Sequence, residues 1–184
     1  MTDEESLRRL LIERSVRRGD FVLASGQRSS YYIDCRLATM SAAGMVLIGR
    51  LGLRALRTAG WHPVGVGGLT MGADPVAYAI AAASFATDSP IDAFSVRKET
   101  KDHGTGRMIE GNFERGMSVV IVEDVITSGR SAQTAAAAVE SAGGTVLGVL
   151  AVVDREEGGR PRLEREGRRV VALTTAPELG LAQG

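Results

Sequence analysis

The stretch 119–131 reads Val-Val-Ile-Val-Glu-Asp-Val-Ile-Thr-Ser-Gly-Arg-Ser. Its first four residues, entered through Ser118, form a continuous apolar run, the mark of a strand buried on both faces. That strand delivers two carboxylates, Glu123 and Asp124, at its C-terminal end. A short turn carrying Thr127, Ser128, Gly129 and Ser131 follows, and then a helix begins. Open parallel sheets bind ligands beyond the carboxyl ends of their strands. Backbone N–H groups at a helix start point at any anion placed there, and the helix dipole adds about half a positive charge. Gly129 is expected to omit a Cβ where a phosphate needs close backbone approach. The hydroxyls of the turn can donate further hydrogen bonds. The carboxylates repel a phosphate; they suit ribose hydroxyls, or a magnesium ion held by them and the substrate. The plain alternative is a capped helix after a core strand, with two solvent-facing acids.

Three other groups of residues could do chemistry. The segment 97–115 is polar and glycine-bearing, with Arg97, Lys98, Lys101, His103 and Arg107 close together. Loops of that length in compact domains are usually functional or disordered. Its cations suit a leaving group of high negative charge, where placed donors are a large catalytic contribution. Its glycines allow opening and closing. A solvated charged loop is the alternative, since Glu99, Asp102 and Glu110 balance the cations. Arg155 ends the apolar run 147–153, and its guanidinium fork suits a carboxylate. Asp154 is placed to orient that fork, and Thr127 lies on the adjacent loop. Read alone, the Asp154-Arg155 pair is a surface ion pair. Finally, Tyr32 or Ile33 in the segment 21–34 can stack on a flat ring, although, read alone, the segment is a hairpin with core tyrosines.

Other readings are negative. Gly67-Gly-Leu-Thr-Met-Gly72 has the spacing of a nucleotide-binding P-loop but continues as Ala73-Asp74 instead of Lys-Ser/Thr. Thr70 stands where a dinucleotide fingerprint needs its third glycine. The single cysteine, Cys35, cannot form an internal disulfide, which fits a reducing cytoplasm, and reads as a structural residue of the N-terminal segment or the core. The 184 residues suit one domain, and 44% hydrophobic residues suffice for a core. Lys plus Arg and Asp plus Glu both count 22, so no basic excess points to nucleic acid. No signal peptide is visible, and no apolar run reaches the roughly 18 residues of a membrane span.

The elements that must position these residues follow from periodicity and caps. Thr2 and Glu5 form a capping-box pattern, which predicts a helix over 3–18. Short strands are expected at 21–23 and 31–33 around a turn at Ser25-Gly26. Ser41 caps a long helix ending near Gly60. Strands at 63–67, 91–96, 119–122, 146–153 and 170–173 alternate with helices at 75–84 and 132–142. Alternation of this kind implies an α/β fold with a central, mostly parallel sheet flanked by helices on both sides.

The 119–131 string resembles the signature with which type I phosphoribosyltransferases hold 5-phosphoribosyl 1-pyrophosphate. Three more segments resemble the orotate-using branch of that family: the hood strand in 21–34, the mobile catalytic loop in Arg97-Lys-Glu-Thr-Lys-Asp-His-Gly-Thr-Gly106 with Ile109-Glu-Gly111 after it, and Asp154-Arg155. The resemblance covers about residues 3–180. It implies one phosphoribosyltransferase domain over 1–184, with residues 1–36 contributing to a small N-terminal hood. By the resemblance, Glu123 and Asp124 hold the ribose 2′- and 3′-hydroxyls, and Asp124 favours positive charge at the anomeric carbon. Residues Val125, Ile126, Thr127, Ser128, Gly129, Arg130 and Ser131 bind substrate, with 127–131 cradling the 5-phosphate. Tyr32 or Ile33 covers the base, Arg155 reads the orotate carboxylate, and Arg97, Lys98, Lys101 and His103 attend the departing pyrophosphate, with Lys101 or His103 the group that protonates it.

The reaction so implied joins orotate and phosphoribosyl pyrophosphate into orotidine 5′-monophosphate and pyrophosphate, in pyrimidine synthesis. It uses Mg2+ held mainly through substrate, with Glu123 and Asp124 the protein groups suited to it. A cytoplasmic homodimer with shared active sites is implied, with neither nucleic acid nor membrane as partner. Two departures stand out: Ala24 and Met71 occupy positions where the family often has pyrophosphate-binding lysines, with Arg28 or Arg36 as candidate substitutes. The rival functions are a purine-type phosphoribosyltransferase, which would share only the 123–131 segment, and a non-enzymatic regulator that senses the sugar phosphate.

Overall fold

A computed structural model of the chain describes residues 1–22, 28–98 and 108–181. Helix α1 (Asp3–Arg14) opens on the expected capping box: the Glu5 amide donates to Thr2 Oγ1 at 3.2 Å, and the Thr2 amide donates to the Glu5 carboxylate at 2.7 Å. It ends four residues short of the predicted limit. Ser15 closes it, and Val16 enters strand β1 (Val16–Val22), which pairs antiparallel with β2 (Arg28–Ile33), Val16 opposite Ile33. The apolar spacing that carried the helix reading past Arg14 is satisfied by a strand partner seventeen positions on, so tertiary pairing overrides local periodicity.

The rest of the chain alternates. After α2 (Arg36–Thr39) and α3 (Ala42–Thr58) come β3 (Gly65–Leu69), α4 (Ala73–Ser84), β4 (Asp92–Val96), β5 (Ile109–Gly111), β6 (Ser118–Ile126), α5 (Arg130–Ser141), β7 (Thr145–Asp154), α6 (Gly159–Arg165) and β8 (Val170–Thr175). Ser41 caps α3 as expected, its hydroxyl accepting from the Gly44 amide at 3.1 Å. The main sheet runs in the order β5-β4-β3-β6-β7-β8. All its pairings are parallel except that of the edge strand β5 with β4. Strand β5 lies inside the segment expected to be an irregular loop; three residues carry too little pattern to announce a strand.

Two apolar layers sandwich the sheet. On one face Val120 and Val122 of β6 and Leu150 and Val152 of β7 pack with Leu7, Ile48, Leu51 and Ile80 of the α1, α3 and α4 layer. On the other, Val119, Ile121, Val149 and Ala151 pack with Ala132, Ala135, Ala136 and Val139 of α5 and Leu163 of α6. Successive strand residues point to opposite faces, so a run that is apolar throughout feeds both layers. Each fully buried Val, Leu or Ile contributes about 1.5–3 kcal/mol. This doubly covered sheet holds the ends of β3, β6 and β7 in a fixed row, and the site is built on that row.

Candidate active site

Strand β6 is the central carrier. It continues four residues beyond the apolar run and ends at Ile126, so Glu123 and Asp124 lie within its last turns of pairing with β7. Glu123 is 6% exposed and Asp124 half-buried, in place of the solvent-facing acids of the plain alternative. Burial pushes the Glu123 carboxyl well up, and the charge of Asp124 beside it adds to the effect. Burial raises Asp124 as well, but hydrogen bonds from Glu123 and from the Val125 amide, at 2.9 Å from Oδ1, favour its charged form. The two carboxyls therefore act on each other, both raised by burial, with the hydrogen bond between their side chains favouring the charged form at Asp124.

A cavity of about 920 Å³ opens over these carboxylates. It is bordered by the loop after β3 (Thr70, Met71, Gly72), by Glu123, Asp124 and Val125 of β6, by Thr127, Ser128, Arg130 and Ser131 of the following turn, and by Lys98 and Arg155. The hood closes one side with Tyr32, Ile33 and the segment 34–36. A smaller hollow of about 90 Å³ is bordered by Glu123 and by 125–131, Ile126 and Gly129 included. It lies at the start of α5 and brings the turn residues 127–131 around one hollow.

Gly129 has a structural role in the turn. Its φ is +74°, a left-handed conformation that L side chains rarely adopt, and it caps α5. A Cβ there would press on the Gly159 carbonyl oxygen and on Leu163, that is, on α6 packed behind the turn. Glycine is required here by the shape of the turn and its backing.

Arg155 is no surface residue: it is 4% exposed, and its amide donates to the Ile126 carbonyl at 3.0 Å, which ties it to the end of β6. Its orienting partner is not Asp154. That aspartate, fully buried, pairs with Arg160 at 2.7 Å and accepts from the Glu156 amide at 2.9 Å. Asp154 is the last residue of β7 and Arg155 lies just beyond it, where the chain turns to hydrogen-bond Ile126. Glu157 holds the guanidinium instead, with Tyr31 stacked on it at 4.6 Å. In β2 the alternation puts Tyr31 inward, 2% exposed, while Tyr32 is 40% exposed and still borders the cavity.

The remaining expected residues divide. Lys98 borders the cavity, whereas Arg97 lies outside that border, paired with Glu110 of β5 at 2.9 Å. Lys101, His103, Arg107 and Ala24 lie outside the described residues. Arg36 borders the cavity and is held by Asp34 through bonds of 2.8 and 3.0 Å; Arg28 does not border it. Cys35 is a buried core residue at the cavity wall, its thiol pushed well up by burial and by the nearby Asp124 and Asp34 carboxylates. Sequence reasoning did not find Tyr31 or Glu157; nothing in the local string marks them, because their importance comes from contact with each other and with Arg155.

Residues 41–170 match the family described as "Phosphoribosyl transferase domain". Among curated relatives, the orotate phosphoribosyltransferase of Mycobacterium avium is 48% identical over 177 residues, covering 96% of each chain. That of Aquifex aeolicus is 44% identical over 182 residues, covering 97% of this chain and 98% of its own. The orotate phosphoribosyltransferase of Mycobacterium tuberculosis, solved in complex with 5-phospho-alpha-D-ribosyl 1-diphosphate, superposes with a TM-score of 0.82 at 43% identity, covering 98% of this chain and all of that one. An adenine phosphoribosyltransferase from Leishmania donovani, at 16% identity and a TM-score of 0.65, shares the fold alone. The chain belongs to the phosphoribosyltransferase family, in the branch whose members are named orotate phosphoribosyltransferases.

Proposed function

We infer that this chain transfers the 5-phosphoribosyl group from phosphoribosyl pyrophosphate to orotate, giving orotidine 5′-monophosphate and pyrophosphate. One observation carries the reading: a single cavity gathers a carboxylate pair, an anion-cradling turn and a buried arginine. Those are the groups needed for a ribose, its phosphate and a base bearing a carboxylate. In the reaction the anomeric C–O bond to pyrophosphate breaks as a C–N bond to the base ring forms, with oxocarbenium character between. The enzyme contributes position and charge stabilisation, and no side-chain nucleophile is needed. Asp124 accepts from ribose hydroxyls and favours the positive charge at the anomeric carbon. The turn 127–131 holds the 5-phosphate with amides and hydroxyls at the start of α5. Lys98, with Lys101 and His103 beyond it, attends the pyrophosphate, and Lys101 or His103 protonates it.

Magnesium fits the donor set in a limited way. Glu123 and Asp124 offer hard oxygen ligands. Among the described residues no cluster of three or more metal-binding side chains occurs, so substrate oxygens would supply most of the coordination. When bound, the ion supplies positive charge to the pyrophosphate oxygens.

We further place the enzyme in pyrimidine synthesis in the cytoplasm, as one domain over 1–184 with residues 1–36 in the hood, acting as a homodimer that shares its sites. No helix among the described residues is long and apolar enough to cross a membrane. For the dimer, α2, α3 and α4 pack on one another and leave Leu37, Met40, Met45, Tyr78 and Phe85 exposed, apolar side chains available to a second copy.

Initial rates of the pure protein with phosphoribosyl pyrophosphate and, in turn, orotate, uracil, hypoxanthine and adenine test the reading. Orotate is the expected acceptor, with uracil weaker by about 10- to 150-fold for want of the carboxylate. Turnover of a purine in preference to orotate overturns it.

A further inference from the structure

We propose that Glu157, with Tyr31, is the positioning residue that sets base recognition, by holding the Arg155 guanidinium from behind so that one edge faces the cavity. The proposal rests on the reading that Arg155 binds the substrate carboxylate. Arg155 borders the cavity, while neither Glu157 nor Tyr31 does. Glu157 Oε1 accepts from Arg155 Nε at 2.9 Å and lies 2.7 Å from Nη2. Those two nitrogens form one edge of the guanidinium. Nη2 also reaches Ser29 Oγ at 3.4 Å, and among the described residues Nη1 has no hydrogen-bond partner. Nη1 is thus the nitrogen left for a ligand, and with Nη2, held on that side only by the long Ser29 contact, it can meet the two oxygens of a carboxylate.

Tyr31 fixes the plane as well as the direction. Its ring lies under the guanidinium at 4.6 Å, and its hydroxyl donates to Glu157 Oε1 at 3.3 Å. The arrangement is buried: Arg155 and the Glu157 side chain are 4% and 12% exposed, and Tyr31 is 2% exposed. An arginine stem has many rotamers, and ordering it before the substrate arrives lowers the entropic cost of binding. Glu157 has a second effect. It balances the arginine charge, so an anion gains little from charge alone and must match the geometry of the free edge.

The opposite role is physically possible from the same contacts: Glu157 would compete with the substrate for the guanidinium and weaken its binding. The two roles differ in sign, which makes the test decisive. Michaelis constants for orotate and for phosphoribosyl pyrophosphate are measured for the wild type, Glu157→Gln, Tyr31→Phe, Arg155→Ala and the double variant Arg155→Ala/Glu157→Gln, each well below its own melting temperature. Glu157→Gln is expected to raise the orotate constant about tenfold, the worth of a charge-assisted contact, with the pyrophosphate substrate's constant and kcat unchanged. Tyr31→Phe, which removes only a hydroxyl, should move the orotate constant the same way by less, and it keeps the test open should Glu157→Gln fold poorly. The double variant should match Arg155→Ala alone, because Glu157 acts through the arginine. An orotate constant that falls or stays put in Glu157→Gln overturns the proposal, as does a double variant worse than Arg155→Ala. An unchanged orotate constant in Arg155→Ala sinks instead the reading beneath it, and that outcome is distinct from the others.

Discussion

Gly72 leaves no room for a side chain beside Asp124: a Cβ built on its backbone would collide with the Asp124 carboxylate. The loop after β3 and the end of β6 therefore touch at the point where the sugar is expected to lie. The contact makes a glycine in one loop a condition for the position of an acid in another.

Gly72→Ala is accordingly expected to displace the Asp124 carboxylate into the cavity. Its catalytic efficiency for phosphoribosyl pyrophosphate should fall about tenfold or more, the worth of a misplaced charged hydrogen bond. The melting temperature should stay close to wild type, because the displaced atoms border a cavity and not the packed core. Unchanged efficiency would show that Asp124 has no fixed task there.

Asp124→Asn should abolish most turnover while the protein stays folded. Asparagine keeps the size of the side chain but not its charge, so the loss tests the electrostatic role at the anomeric carbon and the ribose hydroxyls. Circular dichroism and steady-state rates on one preparation decide it; near-normal turnover removes the role.

Lys101→Ala bears on the loop that follows Lys98. The lysine stands among glycines and polar residues, so folding is not expected to depend on it. Turnover should fall by about 10²–10³, as for other donors aimed at developing charge. A large fall in melting temperature with intact turnover would instead make the loop a structural element.

Shared sites predict complementation. Mixing Lys101→Ala chains with Asp124→Asn chains should regenerate one good site per heterodimer, raising activity well above either parent. Absence of recovery, with subunit exchange shown by a mass-tagged partner, would mean that each chain completes its own site.

Acid stability can be followed at Glu140, whose carboxylate accepts hydrogen bonds from Arg168 across the end of α5. Its carboxyl is held below the ordinary value of 4.5, first by that hydrogen bond. A folded-state value below the unfolded one stabilises the protein above the unfolded value, and the gain is lost as pH falls through the folded value. Glu140 is 42% exposed, so the pair contributes no more than about 1 kcal/mol. Glu140→Gln should lower the melting temperature at pH 7 by about 1–3 °C, and the difference should vanish toward pH 3. A deficit that persists there would place the effect in packing.

What could be read from the string itself was local. The 118–131 run contains its own strand, its acids, its turn and the start of its helix, so the chemistry and the elements that position it are contiguous. Periodicity and the caps at Thr2 and Ser41 gave the alternation of strands and helices, because hydrogen-bonded turns and amphipathic faces are set by near neighbours. Arg155 was visible as a fork at a strand end, but its surroundings were not. Asp154, adjacent in sequence, serves Arg160, whereas Tyr31, which meets Glu157 at a separation of 126 residues, lies under the guanidinium. Strand β1 took the place of the last turn of a predicted helix for the same reason, its partner lying in β2. Side chains brought together by sheet order and by the hood carry no mark in the local pattern. Only the closed fold decided that Glu157 and Tyr31 stand behind Arg155, that Gly72 abuts Asp124, and that α6 backs Gly129.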